Sequence, residues 1–216
     1  MAYDTNRAIG EDILLHLRDA AVDNVQVGTS TGQQLNELRT LTRDAMFTEV
    51  ETAEAYRESI DLMRIGRSEI EANPDGIALA GALMESLNLI GMVTRESIAD
   101  PASSSYQMGL DMIDEGAMTS MGFVWINTMG NGRTAQIEAG RAYTRIALQA
   151  TADDLAMQPM SQALQEYSAM APYYESVHDL LTSQPEERVQ MLARLGFAED
   201  IGPSPRWPLA TRIKKR

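Results

Sequence analysis

The sequence contains no cysteine, and that absence removes several classes of chemistry at once. Disulfide bridges, thiolate metal sites and cysteine nucleophiles are excluded, while the redox compartment stays open. Large aromatic side chains are also scarce, with three Phe and two Trp among 216 residues, whereas Met is plentiful at 14. We therefore expect a core built from Ala, Leu, Ile and adaptable Met side chains.

Basic residues are outnumbered, because 18 Lys and Arg stand against 31 Asp and Glu, for a net charge of −13. Nucleic-acid affinity depends on neutralising phosphates with Lys and Arg, so we expect no nucleic-acid partner. The one basic cluster, Arg212 to Arg216, indicates a solvated tail.

Long apolar runs are missing as well. No segment approaches the roughly 18 apolar residues of a membrane span. The first residues, MAYDTNRAIGED, lack the basic and apolar regions of a signal peptide. We therefore expect no membrane partner and a cytoplasmic location.

Apolar residues at helical spacing are the commonest pattern in the sequence. It predicts helices over 9–22, 33–70 with a break near 47–52, 77–92, and 135–152. Gly140 and the alanines on the apolar stripe of 135–152 suggest that another backbone packs close against that helix. Short helices are predicted after residue 160, and 97–105, SIADPASSS, is expected to be a loop.

Three segments have the β-branched or alternating pattern of strands. They are NVQVGTS at 24–30, MGFVWINT at 121–128 and RVQMLARLGFA at 188–198. Because these strands lie far apart among many helices, the pattern predicts an α+β fold rather than a regular βαβ array.

Recognisable catalytic motifs are absent. His16 and His178 have no second histidine at metal-ligand spacing, so each is expected to be a surface or hydrogen-bonded histidine. GNGR at 130–133 lacks the Lys-Ser/Thr of a phosphate-binding loop and the third glycine of a dinucleotide loop, which favours a plain turn. Enzymes without a recognisable nucleophile, metal site or acid–base pair often use a cofactor to carry out the chemistry.

Two stretches could bind such a cofactor. LAMQPMSQAL at 155–164 runs extended into Gln158-Pro159 and offers Ser161 as a helix start, which suits either a tight joint or a site for a flat polar ligand. PSPRWP at 203–208 holds Arg206 among prolines. A rigidly held guanidinium suits an anion such as a phosphate, and the alternative is an ordinary surface arginine.

Several runs resemble a known family. GRAYTRIALQATADDLAMQPMSQALQEYSAM and VQMLARLGFAEDIGPSPRWPL resemble the C-terminal part of flavin-dependent nitroreductase-like proteins, and more narrowly their twin-domain, Acg-like branch. AYRESIDLMRIGRSEIEANPDGIAL resembles the middle of that branch's second half, and YDTNRAIGEDILLHLRDAA the opening helix of a nitroreductase domain.

The resemblance implies a nitroreductase-like α+β fold, helix-rich with a small central, mostly antiparallel sheet. It implies one domain over 1–216, corresponding to the second half of a twin-domain protein, with an extended C-terminal tail over 199–216. Because flavin in such proteins lies between two domains, the chain is expected to form a homodimer or to pair with a separate N-terminal half.

The resemblance also implies FMN as cofactor. The loop would lie against the flavin ring, with backbone N–H groups near Met160–Gln162 directed at the reactive nitrogen N5, where donors stabilise the charge that hydride transfer creates. Arg206, helped by Ser204, would bind the phosphate. The expected cofactor-binding residues are Gln158, Pro159, Met160, Ser161, Gln162, Ser204 and Arg206, with no protein catalytic residue and no metal.

Three functions fit this resemblance. The first is an oxidoreductase that passes hydride or electrons from NAD(P)H through FMN to a nitro-aromatic or quinone-like acceptor. The second is a protein that binds or sequesters FMN without turnover. The third is an incomplete domain that needs a partner half to bind anything.

Overall fold

The computed structural model describes residues 1–21 and 24–213, and it divides the chain into two compact units. The first unit comprises Met1–Glu49 and Met112–Glu199, and the second comprises Val50–Asp111 and Asp200–Arg216. Residue 22 of the expected first helix, and residues 214–216 of the basic tail, lie outside the described ranges.

Helices are the commonest element in both units. In chain order they are α1 Glu11–Asp19, α2 Leu35–Glu51, α3 Ala53–Leu62, α4 Gly66–Ala72, α5 Ala82–Leu89, α6 Arg95–Ala99, α7 Ser104–Met118, α8 Arg133–Ala152 and α9 Ala171–Leu181. Short 3₁₀ turns cover Gln162–Leu164, Ser168–Met170 and Leu209–Thr211. Among the described residues, no helix is both long and apolar enough to cross a membrane.

The first unit is built on a four-stranded antiparallel sheet. Its strands are β1 Gln26–Ser30, β4 Gly122–Met129, β5 Ala156–Pro159 and β6 Glu187–Gly196, in the spatial order β1-β4-β6-β5. A second, two-stranded parallel sheet in the other unit pairs β2 Met63–Ile65 with β3 Ile77–Leu79. The expected helix-rich α+β architecture with a small, mostly antiparallel sheet is confirmed.

Strand β6 is buried on both faces because successive side chains of a strand point to opposite sides. Ala193 and Leu195 join one apolar cluster with α1 and α8, and Val189 and Leu192 join another with α2 and α9. Helices therefore cover both faces of the four-stranded sheet.

One buried arginine interrupts this apolar strand. Arg194 is 1% exposed, and its guanidinium donates to the side-chain Oε1 of Gln158 from Nε at 2.9 Å and from Nη2 at 2.5 Å. It also donates to the carbonyl oxygens of Gly116 at 2.5 Å and Met1 at 2.7 Å, and lies 4.0 Å from the ring centre of Tyr3. One side chain thus joins the N-terminal segment, the end of α7 and strand β5.

Burial has opposite effects on the two ionisable groups of this contact. It lowers the pKa of the Arg194 guanidinium and raises the pKa of the Tyr3 phenol from their ordinary values. In both cases removal from water disfavours the charged form. Because an arginine starts from a very high pKa, Arg194 stays cationic while Tyr3 stays neutral.

The second unit has a smaller core of Ile60, Ile65, Val93 and Ile98. Arg95 pairs with both carboxylate oxygens of Glu69, at 3.0 and 2.7 Å. The C-terminal tail of the second unit is held by Trp207, whose indole N–H donates to Asp75 Oδ2 at 2.9 Å. The Arg212 guanidinium lies 4.3 Å from the Trp207 ring centre.

Three expectations about the second unit were wrong. The helix predicted up to residue 70 is interrupted by strand β2 Met63–Ile65, which separates α3 from α4. The apolar run 77–92 is not one helix but strand β3 followed by α5, because Gly81 takes φ +111° and β2 offers β3 a partner. The expected loop 97–105 begins inside α6 and ends inside α7. There, Thr94 and Ser97 form a reciprocal capping box that starts α6, with N–H to side-chain oxygen distances of 3.1 and 2.9 Å.

In the first unit the segment 161–167 forms a 3₁₀ turn over Gln162–Leu164 rather than an α-helix. Close backbone packing at Gly140 was also a wrong expectation, since Gly140 is exposed and a Cβ there would meet nothing within 4 Å. Ala139, Ala142 and Ala150 of the same helix are buried as predicted.

Two glycines of the first unit give opposite predictions for the same substitution. A Cβ on Gly28 would overlap the indole ring of Trp125, its direct partner across β1 and β4. Gly28→Ala should therefore lower the free energy of unfolding by about 1–3 kcal/mol. Gly140→Ala should raise it by about 0.5–1 kcal/mol, because alanine favours a helix interior. Urea unfolding checks both, and equal effects would contradict the packing described.

Removing the guanidinium of Arg194 should be strongly destabilising. Arg194→Met leaves the buried Gly116 carbonyl and the partly buried acceptors of Gln158 and Met1 without their donor, so the free energy of unfolding should fall by at least about 2 kcal/mol. Arg188→Met on the same strand is the matched control, because the Arg188 side chain is only partly buried and bonds to local carbonyls of Pro185 and Glu187. A comparable loss in both variants by chemical unfolding would show that burial of the network is not the cause.

Candidate functional site

The candidate loop begins where edge strand β5 ends. Gln158 and Pro159 are the last residues of β5, and Gln158 lies directly opposite Arg194 in the sheet register. Although the Gln158 residue is exposed as a whole, its Oε1 is occupied by the Arg194 guanidinium. The side chain of Gln158 therefore fixes the strand in its register.

Met160 continues the strand for one more residue. Its amide N–H donates to the Leu192 carbonyl at 2.8 Å, and its side chain is 2% exposed in the cluster with Leu38 and Val177. This amide is already used, so it is not a donor for a ligand. Pro159 has no amide N–H to offer.

The backbone amides of Ser161 and Gln162, unlike that of Met160, have no hydrogen-bond partner over residues 1–21 and 24–213. Ser161 precedes a 3₁₀ turn that Gln162 begins, and carbonyls of both residues accept turn hydrogen bonds from Leu164 at 3.0 Å and Gln165 at 3.1 Å. Within the described residues, no hydrogen bond uses the amide N–H of Ser161 or Gln162. The first N–H groups of a helical turn have no partner inside the turn, so they are ready donors.

A polar acceptor accompanies these donors. The side-chain Oε1 of Gln162 is buried, yet no partner for it occurs in the part of the chain that the structure describes. A buried polar atom without a hydrogen bond is unfavourable unless a ligand or water completes it. The loop therefore contains two unused backbone donors and one unpaired side-chain acceptor, which are groups of the kind that bind a polar ring.

Ser204 and Arg206 belong to the other unit, whereas the loop belongs to the first. Both residues are exposed, and the Arg206 Nη1 donates only to the neighbouring Pro205 carbonyl, at 2.9 Å. Among the described residues, no carboxylate forms an ion pair with Arg206. This guanidinium can still bind an anion.

The two histidines are hydrogen-bonded, as predicted. His16 Nδ1 is 3.2 Å from Asp153 Oδ2, and His178 contacts the Tyr174 carbonyl through Nδ1 at 2.8 Å and the Val189 amide through Nε2 at 3.2 Å. Over the described ranges, no three His, Asp or Glu side chains are grouped to hold a metal ion.

Arg194 was not among the residues that the sequence pattern suggested. A signal was present, because it is the one charged residue inside the apolar run MLARLGF. A charge at a buried strand position requires partners, so it marks a polar network. The sequence does not show which residues supply them, since Met1, Gly116 and Gln158 are distant along the chain.

No family model matches this sequence, and no curated protein matches it. The solved structures give a clear answer about the fold. A nitroreductase from Desulfitobacterium hafniense with bound FMN aligns over 100% of this chain and 91% of its own, with 14% identity and a TM-score of 0.55.

Two further structures agree. The FMN-dependent nitroreductase of Mycobacterium smegmatis, solved in complex with NADPH, aligns over 100% of this chain and 92% of its own, with 12% identity and a TM-score of 0.57. A nitroreductase-like family protein from Bacillus cereus aligns over 100% and 90%, with 11% identity and a TM-score of 0.50. Identities this low establish architecture alone. The protein has the nitroreductase-like fold.

Proposed function

We propose that the protein is an FMN-dependent oxidoreductase that takes hydride from NAD(P)H and passes electrons to a nitro-aromatic or quinone-like acceptor. The observation that carries this proposal is the loop after β5, where the amides of Ser161 and Gln162 are unused and the Gln162 Oε1 is buried without a partner. Support comes from structures of the same fold that were solved with FMN or NADPH.

The loop fits one edge of the flavin ring chemically. That edge presents the acceptors N5 and a carbonyl oxygen, followed by an N–H donor, which complements two amide donors and one amide oxygen. Bound FMN would supply the hydride chemistry, and the protein would supply position and electrostatics. In this proposal the Ser161 and Gln162 amides hold the ring and stabilise developing negative charge.

The other residues of the loop hold it in place and do not contact the ring in this proposal. Pro159 ends the strand, Met160 anchors the loop in the core, and Gln158 is held by Arg194 rather than directed at a ligand. Arg206 and Ser204 bind the phosphate in this proposal, since a guanidinium without an acidic partner in the described chain is free to form a charge-assisted pair.

We propose further that the chain works as a pair, with a second copy or with a separate N-terminal half as in the twin-domain branch. Support comes from α8, where Ile137 is 51% and Leu148 is 67% exposed. Eleven residues of α-helix return to nearly the same direction, so these two exposed apolar side chains lie on one face of α8. The mass in solution, measured by light scattering, distinguishes a self-pair from a chain that needs another partner.

Flavin uptake and the role of the Ser161 amide can be tested together. The purified protein, dialysed and titrated with FMN, should show a perturbed flavin absorption band. Ser161→Ala keeps the amide N–H and should bind FMN as the wild type does. Ser161→Pro removes that N–H and should weaken binding by about tenfold, the value of one hydrogen bond to a polar ring.

A wild type that takes up no flavin contradicts the proposed cofactor. If Ser161→Ala loses flavin as Ser161→Pro does, the hydroxyl and not the amide is the ligand. Flavin uptake without oxidation of NADH or NADPH would instead indicate a protein that stores or sequesters FMN. The unfolding midpoint of each variant shows whether the change is confined to the loop.

The phosphate role of Arg206 gives a separate prediction. Arg206→Ala should weaken the binding free energy of FMN by about 1.5–3 kcal/mol, which raises the dissociation constant roughly 10- to 150-fold, because a charge-assisted hydrogen bond is lost. Riboflavin has the same ring without the phosphate, and its affinity should not change. Arg67→Ala is the control, because Arg67 forms an exposed pair with Glu71 in the same unit. Equal FMN affinity of Arg206→Ala and wild type would remove this role.

A further inference from the structure

The second unit contains a cavity that the proposed flavin chemistry does not use. It has a volume of about 710 Å³ and lies against the end of α2, α3, α6 and the start of α7. Cavities that bind small molecules in proteins usually measure about 300–1,000 Å³ and combine an apolar lining with a few polar groups. The volume therefore suits a small organic ligand.

The apolar part of the lining is aromatic. Tyr56 and Tyr106 meet edge to face, with ring centres 6.0 Å apart and an angle of 85°, and Ile60 lies beside them at 5% exposure. The Tyr56 hydroxyl donates to the Ile98 carbonyl at 3.1 Å, and burial raises the pKa of Tyr56. Tyr56 thus stays neutral, and its hydroxyl already has an acceptor.

Three carboxylates also line the cavity, on Glu51, Asp61 and Glu96. In the described ranges none of them forms an ion pair with a basic side chain. Glu96 lies in the first turn of α6, where hydrogen bonds from its own amide and from Thr94 lower the pKa of its carboxyl. It is therefore an anion at neutral pH.

The basic residues of the lining do not balance these acids. Arg95 is committed to Glu69, at 3.0 and 2.7 Å, and to the Met63 carbonyl, at 2.8 Å. That pairing is strong enough to hold the pKa of Glu69 at about 2. Arg57 is the remaining cation of the lining. Arg95 nevertheless lies close enough to attract Glu96 and Asp61. The three carboxylates therefore face two guanidinium groups, and the lining carries one excess negative charge.

The arrangement favours an organic cation over a metal ion. A metal needs several ligand oxygens converging on one point, and across the described residues no three acidic or histidine side chains converge in this way. Carboxylates spread around an aromatic cavity suit a ligand that carries one positive charge on an apolar body, because ring faces and carboxylates both attract cations.

We propose that this cavity binds a small organic cation with an aromatic body, of the arylalkylamine or N-alkylated heteroaromatic class. The aromatic part of the ligand lies against Tyr56, Tyr106 and Ile60, and its positive charge lies near Asp61 and Glu96. This binding is additional to the proposed flavin function and does not depend on it.

The probe is 2-phenylethylammonium, compared by calorimetry with 3-phenylpropanoate, which has the same ring and the opposite charge. We expect the cation to bind at millimolar concentration or below and the anion to bind at least tenfold more weakly. Added salt should weaken binding of the cation, since exposed charges are screened. Equal affinity for both probes, or no heat from either, overturns the proposal.

Two variants test separately whether binding of the cation depends on the carboxylates of the cavity and on its open volume. Asp61→Asn with Glu96→Gln should weaken binding of the cation by about fivefold or more. The double control Glu166→Gln with Glu175→Gln removes the same charge from exposed positions of the first unit and should bind as wild type does.

Ala99→Trp fills the cavity from an exposed lining position and keeps every charge, so binding should disappear while the unfolding midpoint is retained. Unchanged binding in Ala99→Trp would place the cation elsewhere and overturn the proposal. A loss of binding in the control pair equal to that in the Asp61 and Glu96 variant would do the same, because it would attribute the attraction to net charge alone.

Discussion

The buried guanidinium of Arg194 is the interaction on which the first unit depends. It is 1% exposed and has no carboxylate partner among its contacts, which are the Gln158 side chain, the Gly116 and Met1 carbonyls and the Tyr3 ring. A charge removed from water is stable only when hydrogen bonds replace its hydration. All of these partners must therefore be in place together, which makes the N-terminal segment, α7 and β5 cooperative.

The hydrogen bonds of Arg194 also position the candidate site. β5 is a four-residue edge strand, and a shift of its pairing by one residue would turn every one of its side chains to the opposite face. Gln158 opposite Arg194 and the Met160 amide on the Leu192 carbonyl fix the strand immediately before Ser161. The polar loop can leave its own amides unused because the rigidity comes from residues that precede it.

The sequence predicted the elements whose burial is periodic. β4 and β6 are long, mostly buried runs, and α8 repeats one buried face over about five turns, and the types of all three were predicted correctly. The run 77–92 misled because its apolar residues fit a helix equally well, and only the pairing of β3 with β2 and the conformation of Gly81 separate the alternatives. The loop residues 158–162 were found, but the use of Gln158 by Arg194 depends on a contact 36 residues away, which no local pattern contains.

The distribution of the two tryptophans has a practical consequence. Trp125 belongs to the first unit, where its indole covers Gly28, and Trp207 belongs to the second, where its N–H is bonded to Asp75. Each unit thus carries one tryptophan in a distinct environment. Replacing either tryptophan with phenylalanine leaves a chain whose tryptophan emission reports on a single unit, so the order in which the two units lose structure can be followed without an attached dye.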